Sequence, residues 1–338
     1  MGRRAMLAAL PAACCGCSPT GLANALTPGG YRRVADLPYG TLPRQRLDLY
    51  LPADTKAEAP LVVFFYGGNW RQGSREDYTF LAQALTARGM AVAVPDYRLY
   101  PEARWPDFLE DGALAVAWLH GERGRAAGAP PQGACFAMGH SAGAYTAAAL
   151  AYDPRWLDAA GLPGGRSALA GCIALAGPFD WTPRDEPLAT IFAPAPGGRL
   201  DAAPSDAALA GAPPALLLHG DADRTVGPHH SVRLAERLRA AGGVPELRLY
   251  PGLGHIGIVA AFAAPLRALG LEGAPVLEDV AAFVARARAR ARARDDVRCI
   301  VDRIHAAAVA KFPALHLGDD GLEGILNQHS YAAKLHDQ

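Results

Sequence analysis

Residues 135–146 read CFAMGHSAGAYT, an apolar run that ends in a serine flanked two positions away by Gly139 and Gly143. A strand that turns straight into a helix must reverse so tightly that a side chain at either flanking position would clash, and glycine removes that clash. The turn lifts the Ser141 hydroxyl above the sheet edge. It also aims the free N–H groups of a helix N-terminus at whatever the serine attacks. G-x-S-x-G alone is weak in a chain with 37 glycines. The apolar run before it and the helix former Ala142–Ala151 after it supply the required context.

The surrounding chain alternates strands with helices. Gln45–Leu51 has the period of a half-exposed strand, while 60–65 (PLVVFF) and 90–95 (MAVAVP) are short continuous apolar runs of the kind buried in parallel sheets. Further strands are expected at Cys135–Met138, Cys172–Ala176, Ala215–Leu218 and Glu246–Tyr250. Helical spacing falls at Tyr78–Arg88, Phe108–Leu119, Ser231–Ala241 and Leu277–Ala285. This order implies an α/β fold with a mostly parallel sheet and helices on both faces. Between Phe179 and Pro214 the pattern lapses into proline, alanine and glycine, a length that suits a lid, a binding loop or a plain surface excursion.

A serine hydroxyl is a poor nucleophile near neutral pH. It needs a base to take its proton and an acid to orient that base. On a sheet of this kind the order along the chain is serine, acid, histidine. After strand 215–218 comes HGDADRTV, which offers Asp223 as the acid and Asp221 as the runner-up; after strand 246–250 comes PGLGH, which makes His255 the base. The oxyanion of an acyl-transfer intermediate needs backbone donors. Ala142 offers one, and the loop Tyr66-Gly67-Gly68-Asn69-Trp70, directly after the strand 61–65, offers the second through Gly68 or Asn69, with Gly67 in the same turn.

These pieces resemble the α/β-hydrolase esterases, in the branch that holds hormone-sensitive-lipase-like carboxylesterases, feruloyl-esterase-like enzymes and kynurenine formamidases. The resemblance rests on YGGNW at 66–70, DYRLYPE at 96–102, GHSAG at 139–143, HGDADRTV at 219–226 and GLGH at 252–255, in the family's order and across roughly residues 30–285. It implies an α/β-hydrolase fold, Ser141 as nucleophile, Asp223 as acid, His255 as base, and neither metal nor organic cofactor. Tyr66 departs from it, standing where such enzymes carry a histidine that braces the loop; a tyrosine would brace it through its hydroxyl. His140, beside the nucleophile, is read as filling a structural niche.

The expected reaction is hydrolysis of small, short-acyl carboxylic esters through an acyl-enzyme. Trp70, Tyr97, Tyr145, Phe179, Trp181 and Ile256 are candidate pocket residues that serve equally well as packing. An arylformamidase is the nearest rival and an exopeptidase a distant one. A non-catalytic binding protein on the same fold is the rival of another class. Tyr66 alone favours that last reading, and intact Ser141, Asp223 and His255 oppose it.

Composition bears on partners and place. With 33 basic and 33 acidic residues in a chain of 338, no basic field exists to gather phosphates, so nucleic acid is not an expected partner. Residues 1–25 place Arg3 and Arg4 before a short apolar run and small residues, the order of an export signal, with cleavage after Ala25 or lipid attachment at Cys14, Cys15 or Cys17, Cys17 favoured. The expected location is therefore exported, periplasmic or membrane-anchored, against a cytoplasmic alternative. Cys135 and Cys172 lie in apolar runs, where cysteine acts as a small hydrophobe. The expected organisation is a leader over 1–25, the catalytic domain over 26–290 and a helical, polar extension over 291–338. Across the boundary between the last two, Arg286–Arg294 alternates arginine with alanine, expected to prolong the last helix as a solvated face or to present a basic patch to phospholipid.

Overall fold

A computed structural model describes residues 19–131, 134–202 and 209–311. Among the described residues ten strands run in chain order: β1 Tyr31–Pro38, β2 Arg46–Pro52, β3 Leu61–Phe65, β4 Ala91–Pro95, β5 Cys135–His140, β6 Leu169–Leu175, β7 Asp180–Trp181, β8 Leu200–Asp201, β9 Ala215–Gly220 and β10 Glu246–Tyr250. Eight of them form one sheet in the order β1-β2-β4-β3-β5-β6-β9-β10, and β7 and β8 pair separately. From β4 to β10 every pairing is parallel, whereas β1 with β2 and β2 with β4 are antiparallel.

The central strands are the apolar runs. Every residue of β3, β4, β5 and β9 is buried, because helices cover both faces and leave no polar side to alternate with. The helix Ala142–Tyr152 is buried on all sides, which its run of alanines permits. The helix Asp107–His120 approaches it at Gly112, where a β-carbon would lie 3.1 Å from Thr146 and 3.2 Å from the Phe65 ring.

The strand order determines where a site can form. The chain passes from β3 to β4 on one side and then returns across β3 to lay β5 on the other side. Loops leaving β3 and β5 therefore diverge and open a crevice at the carboxyl ends of these strands. Those loops are Tyr66–Trp70 and the turn at Ser141.

Strand β1 was not expected from sequence. Its YRRVADLP has no clean alternation because it lies at the sheet edge, mostly half-exposed, with a bulge between Val34 and Leu37. A buried ion network fastens it: Asp48, fully buried, accepts from the Arg33 and Arg75 guanidiniums and from the backbone N–H of Asp36. The last helix is Val276–Lys311 and includes the arginine–alanine stretch that was expected to prolong it. Compactness separates residues 1–284 from residues 285–338.

Most of the expected leader, including Cys14, Cys15 and Cys17, lies outside the described residues, as does the polar tail after Lys311. Its final stretch, Pro19–Ala25, is a helix that docks on the turn Arg75–Tyr78. Asn24 Nδ2 donates to the Glu76 carbonyl at 2.8 Å, and Asn24 Oδ1 accepts the Phe80 N–H at 3.0 Å. The helix Thr79–Thr86 has no capping bond from its own N-cap residue Tyr78, so Asn24 serves as its cap from a distance. Asn24→Ala should therefore lower stability by about 1 kcal/mol in denaturant unfolding of the full chain. An unchanged midpoint would contradict that capping role.

Candidate active site

Ser141 stands between β5 and the helix that follows it with φ +55° and ψ −122°, a conformation that residues with side chains avoid. The two glycines make it possible. A β-carbon on Gly139 would lie 2.1 Å from the Gly143 carbonyl oxygen, and one on Gly143 would lie 2.0 Å from that of Phe65. The Ser141 N–H donates to the Leu175 carbonyl at 2.9 Å, which ties the turn to β6.

Three loops bring Ser141, His255 and Asp223 together. His255 Nε2 is 2.9 Å from Ser141 Oγ, and its Nδ1 is 2.7 Å from Asp223 Oδ2. A carboxylate only accepts, so the ring proton sits on Nδ1 and leaves Nε2 free to accept from the serine. Asp223 Oδ1 takes the N–H groups of Thr225 at 2.8 Å and Val226 at 2.9 Å. Burial alone would raise the carboxyl pKa, but these N–H groups and the His255 ring outweigh it and hold the group below its ordinary value. Asp221, the alternative acid, is exposed and accepts the Gly252 N–H at 2.7 Å, joining the loop after β9 to the one that carries His255.

The loop after β3 has three successive residues at positive φ, Gly68 at +120°, Asn69 at +52° and Trp70 at +57°. Two of them carry side chains, so the loop is strained and must be held from outside. Tyr66 holds it. Its ring stacks between Tyr78, at 5.7 Å, and Tyr97, at 4.7 Å, and its hydroxyl donates to Asp96 Oδ1 at 2.7 Å while accepting from Arg44 at 2.8 Å. Tyr97 in turn donates its hydroxyl to the Tyr66 carbonyl at 2.7 Å. Among the described residues the N–H groups of Gly68, Asn69 and Ala142 meet no acceptor.

The expected pocket residues fall into two groups. Trp70, Tyr97, Tyr145 and Phe179 are interior, none more than 2% exposed. For Tyr97 this is a correction to a substrate-contact role: its hydroxyl is spent on the loop backbone and its ring on Tyr66. Trp70 packs with Tyr145, Phe108 and Phe192 at ring distances of 4.8–5.8 Å. Phe192 comes from the irregular stretch after Phe179 and was missed because nothing local marks its partner. That stretch contains the β7–β8 pair, and Trp181 lines a groove of about 480 Å³ there with Thr182, Arg184 and Arg233. Ile256 is exposed beside His255. Among the described residues no group of three His, Cys, Asp or Glu side chains is placed to hold a metal.

Three further histidines lie buried near these groups. His219 lies against Asp223; its Nε2 donates to the Val226 carbonyl at 2.8 Å and its Nδ1 accepts from Ser231 at 2.7 Å. Burial lowers its pKa, and burial, with neighbouring positive charge, pushes His140 to about 3 and His230 to about 4. Such a ring stays neutral in the fold but takes a proton at about 6.5 once unfolded. The unfolded chain then binds more protons in acid, so this stability is complete above about pH 6.5 and is lost as pH falls towards 3. Each such group should steepen the loss by up to about 1.4 kcal/mol per pH unit. Denaturant unfolding between pH 4 and 7 should show that slope reduced in His140→Gln; an equal slope would contradict the neutral ring.

Known proteins share these features. The BD-FAE family model matches residues 47–161, which hold the loop after β3 and Ser141, and the prolyl oligopeptidase family model matches residues 197–265, which hold Asp223 and His255. The chain is 31% identical over 245 residues to esterase LipC of Mycobacterium tuberculosis, across 64% of this chain and 58% of that protein. It is 29% identical over 236 residues to isoprenylcysteine alpha-carbonyl methylesterase ICME of Arabidopsis thaliana, across 64% of this chain and 55% of that one. The chain thus spans little more than half the length of these relatives. Esterase B of Lactobacillus rhamnosis has the same fold, with a TM-score of 0.64 at 20% identity over 82% of this chain and 93% of that structure. The sheet order, the serine turn at the β3–β5 crevice and these likenesses together show that the chain has the α/β-hydrolase fold and is similar to the esterases named here.

Proposed function

We propose that the protein is a serine carboxylic ester hydrolase that works through an acyl-enzyme on small, short-acyl esters. The observation that carries this reading is the unbroken relay from Asp223 through His255 to Ser141, with contacts of 2.7 and 2.9 Å. Ser141 Oγ attacks the ester carbonyl carbon as its proton passes to His255 Nε2, and Asp223 steadies the imidazolium. The oxyanion is received by the N–H of Ala142 and those of Gly68 and Asn69, whose geometry is set in advance. The C–O bond then breaks, the leaving alkoxide takes the proton from Nε2, and the acyl group stays on Ser141. Water repeats the sequence: it gives its proton to Nε2, attacks the acyl carbon and releases the acid, and the proton returns to Ser141 Oγ.

Short acyl chains are assigned because Trp70, Tyr145, Phe108 and Phe192 already pack against one another beside the loop. Purified protein should hydrolyse p-nitrophenyl acetate and butyrate faster than the octanoate, and Ser141→Ala should lower turnover by at least about 10⁴-fold. A folded Ser141→Ala variant with undiminished turnover would sink the reading. Turnover of an N-formyl aniline far above that of any ester would make the protein an arylformamidase instead.

Tyr66 supplies a second test. Tyr66→Phe keeps the ring stack but removes the hydroxyl from between Asp96 and Arg44, leaving a buried carboxylate short of a donor. Turnover should fall about tenfold as the oxyanion donors lose their aim. A loss of thermal stability with turnover unchanged would show that the network supports the fold and not the loop.

A further inference from the structure

His140 lies inside the serine motif yet does not touch the serine hydroxyl. Its Nε2 is 3.0 Å from the backbone carbonyl of His255, and a carbonyl only accepts, so Nε2 carries the proton and donates. The His140 ring lies 4.8 Å from the His255 ring, tilted by 40°. On its other side a β-carbon added to Gly67 would come within 3.3 Å of His140 Nδ1 and 3.0 Å of the Ser141 β-carbon. One imidazole therefore fills the space between the nucleophile turn, the oxyanion loop and the loop of the base.

Gly252 N–H to Asp221 at 2.7 Å and Ala222 N–H to the Leu253 carbonyl at 3.2 Å tie the loop that carries His255 to the loop after β9 upstream of the histidine, and at the His255 carbonyl itself the donor is His140. It follows β10, the half-exposed edge strand, and the next residue, Ile256, is exposed. The Asp223 carboxylate orients the His255 ring, whereas the His140 N–H is the side-chain donor to its backbone. We infer that His140 is a positioning residue for the ester hydrolysis proposed above: its Nε2–H fixes the His255 backbone so that the catalytic ring meets both Ser141 and Asp223. The inference rests on that proposed reaction.

The role also needs a neutral ring. A charged imidazole stacked on His255 would repel the imidazolium that forms when Ser141 gives up its proton. Burial, reinforced by the adjacent His255 ring, pushes His140 down to about 3, so it stays uncharged at any pH where the enzyme would work. A lysine or arginine here would donate equally well but would bring the wrong charge.

The test compares substitutions that differ in where they present an N–H. The amide nitrogen of His140→Gln stands near the place of Nε2 and reaches the His255 carbonyl. That of His140→Asn stands near Nδ1 and does not. His140→Met fills the volume with no donor at all. Measured on p-nitrophenyl butyrate with the full chain, the Gln variant should keep kcat within about threefold of the parent, and the Asn and Met variants should lose about 10- to 100-fold in kcat with KM within about twofold. Equal kcat in the Gln and Asn variants, whether both high or both low, would overturn the positioning role and leave His140 as packing. That comparison holds even if the Met variant fails to fold. Ser141→Ala run in parallel separates the two claims: if it is active, the proposed reaction fails, and if it is inactive while all His140 variants match the parent, only this inference fails.

Discussion

The site depends on the backbone at the start of one helix touching the backbone at the end of a neighbouring strand without a side chain between them. Gly143 lies so close to the Phe65 and Tyr66 carbonyls that a β-carbon would sit 2.0 Å from the first and 2.5 Å from the second. This contact sets the height of the helix after Ser141 against the end of β3, and with it the spacing between the nucleophile and the loop that would receive the oxyanion. The unfavourable φ of +55° at Ser141 follows from it. Strain of that kind costs about 1–3 kcal/mol and persists only where the surroundings over-determine it. Here they do, through the bond from Ser141 N to the Leu175 carbonyl and the fully buried helix behind it.

A second strained turn faces the first, and its support has a different chemistry. Asn69 and Trp70 both hold positive φ, and neither is glycine. Where the resemblance implies a bracing histidine, this chain uses the stack Tyr78–Tyr66–Tyr97, with Asp96 and Arg44 closing on the central hydroxyl. Asp96 also takes the backbone N–H of Arg75, and the turn beginning at Arg75 is where Asn24 docks. The brace thus runs from Asp96 and Tyr97, the first two residues of DYRLYPE, to a helix near the start of the chain. Because the proposed oxyanion donors are backbone groups, a tyrosine brace would change the scaffold and leave those donors in place.

Much of this was legible in the sequence where chemistry and period coincide. The apolar runs at 61–65, 91–95 and 135–140 are strands because burial on both faces leaves no other pattern, and Ser141, Asp223 and His255 each follow a strand on the same sheet edge. What escaped is information held in pairs. Strand β1 is defined by its partner β2 and by Asp48, not by its own mixed residues. Tyr97 and Phe179 look like pocket aromatics until their neighbours are known, and Phe192 lies in a stretch with no period at all. His140 and Asn24 act on residues 115 and 56 positions away, a distance over which no local pattern speaks.

All of these supports converge on one claim, that Ser141 is held ready to form a covalent acyl intermediate. The most direct measurement is intact-protein mass spectrometry after brief exposure to an aryl alkylphosphonate that reacts with activated serines, followed by peptide mapping. The account predicts a single adduct on the peptide that contains Ser141, formed in the parent and absent from His255→Ala. Modification elsewhere, or equal labelling without His255, would contradict it.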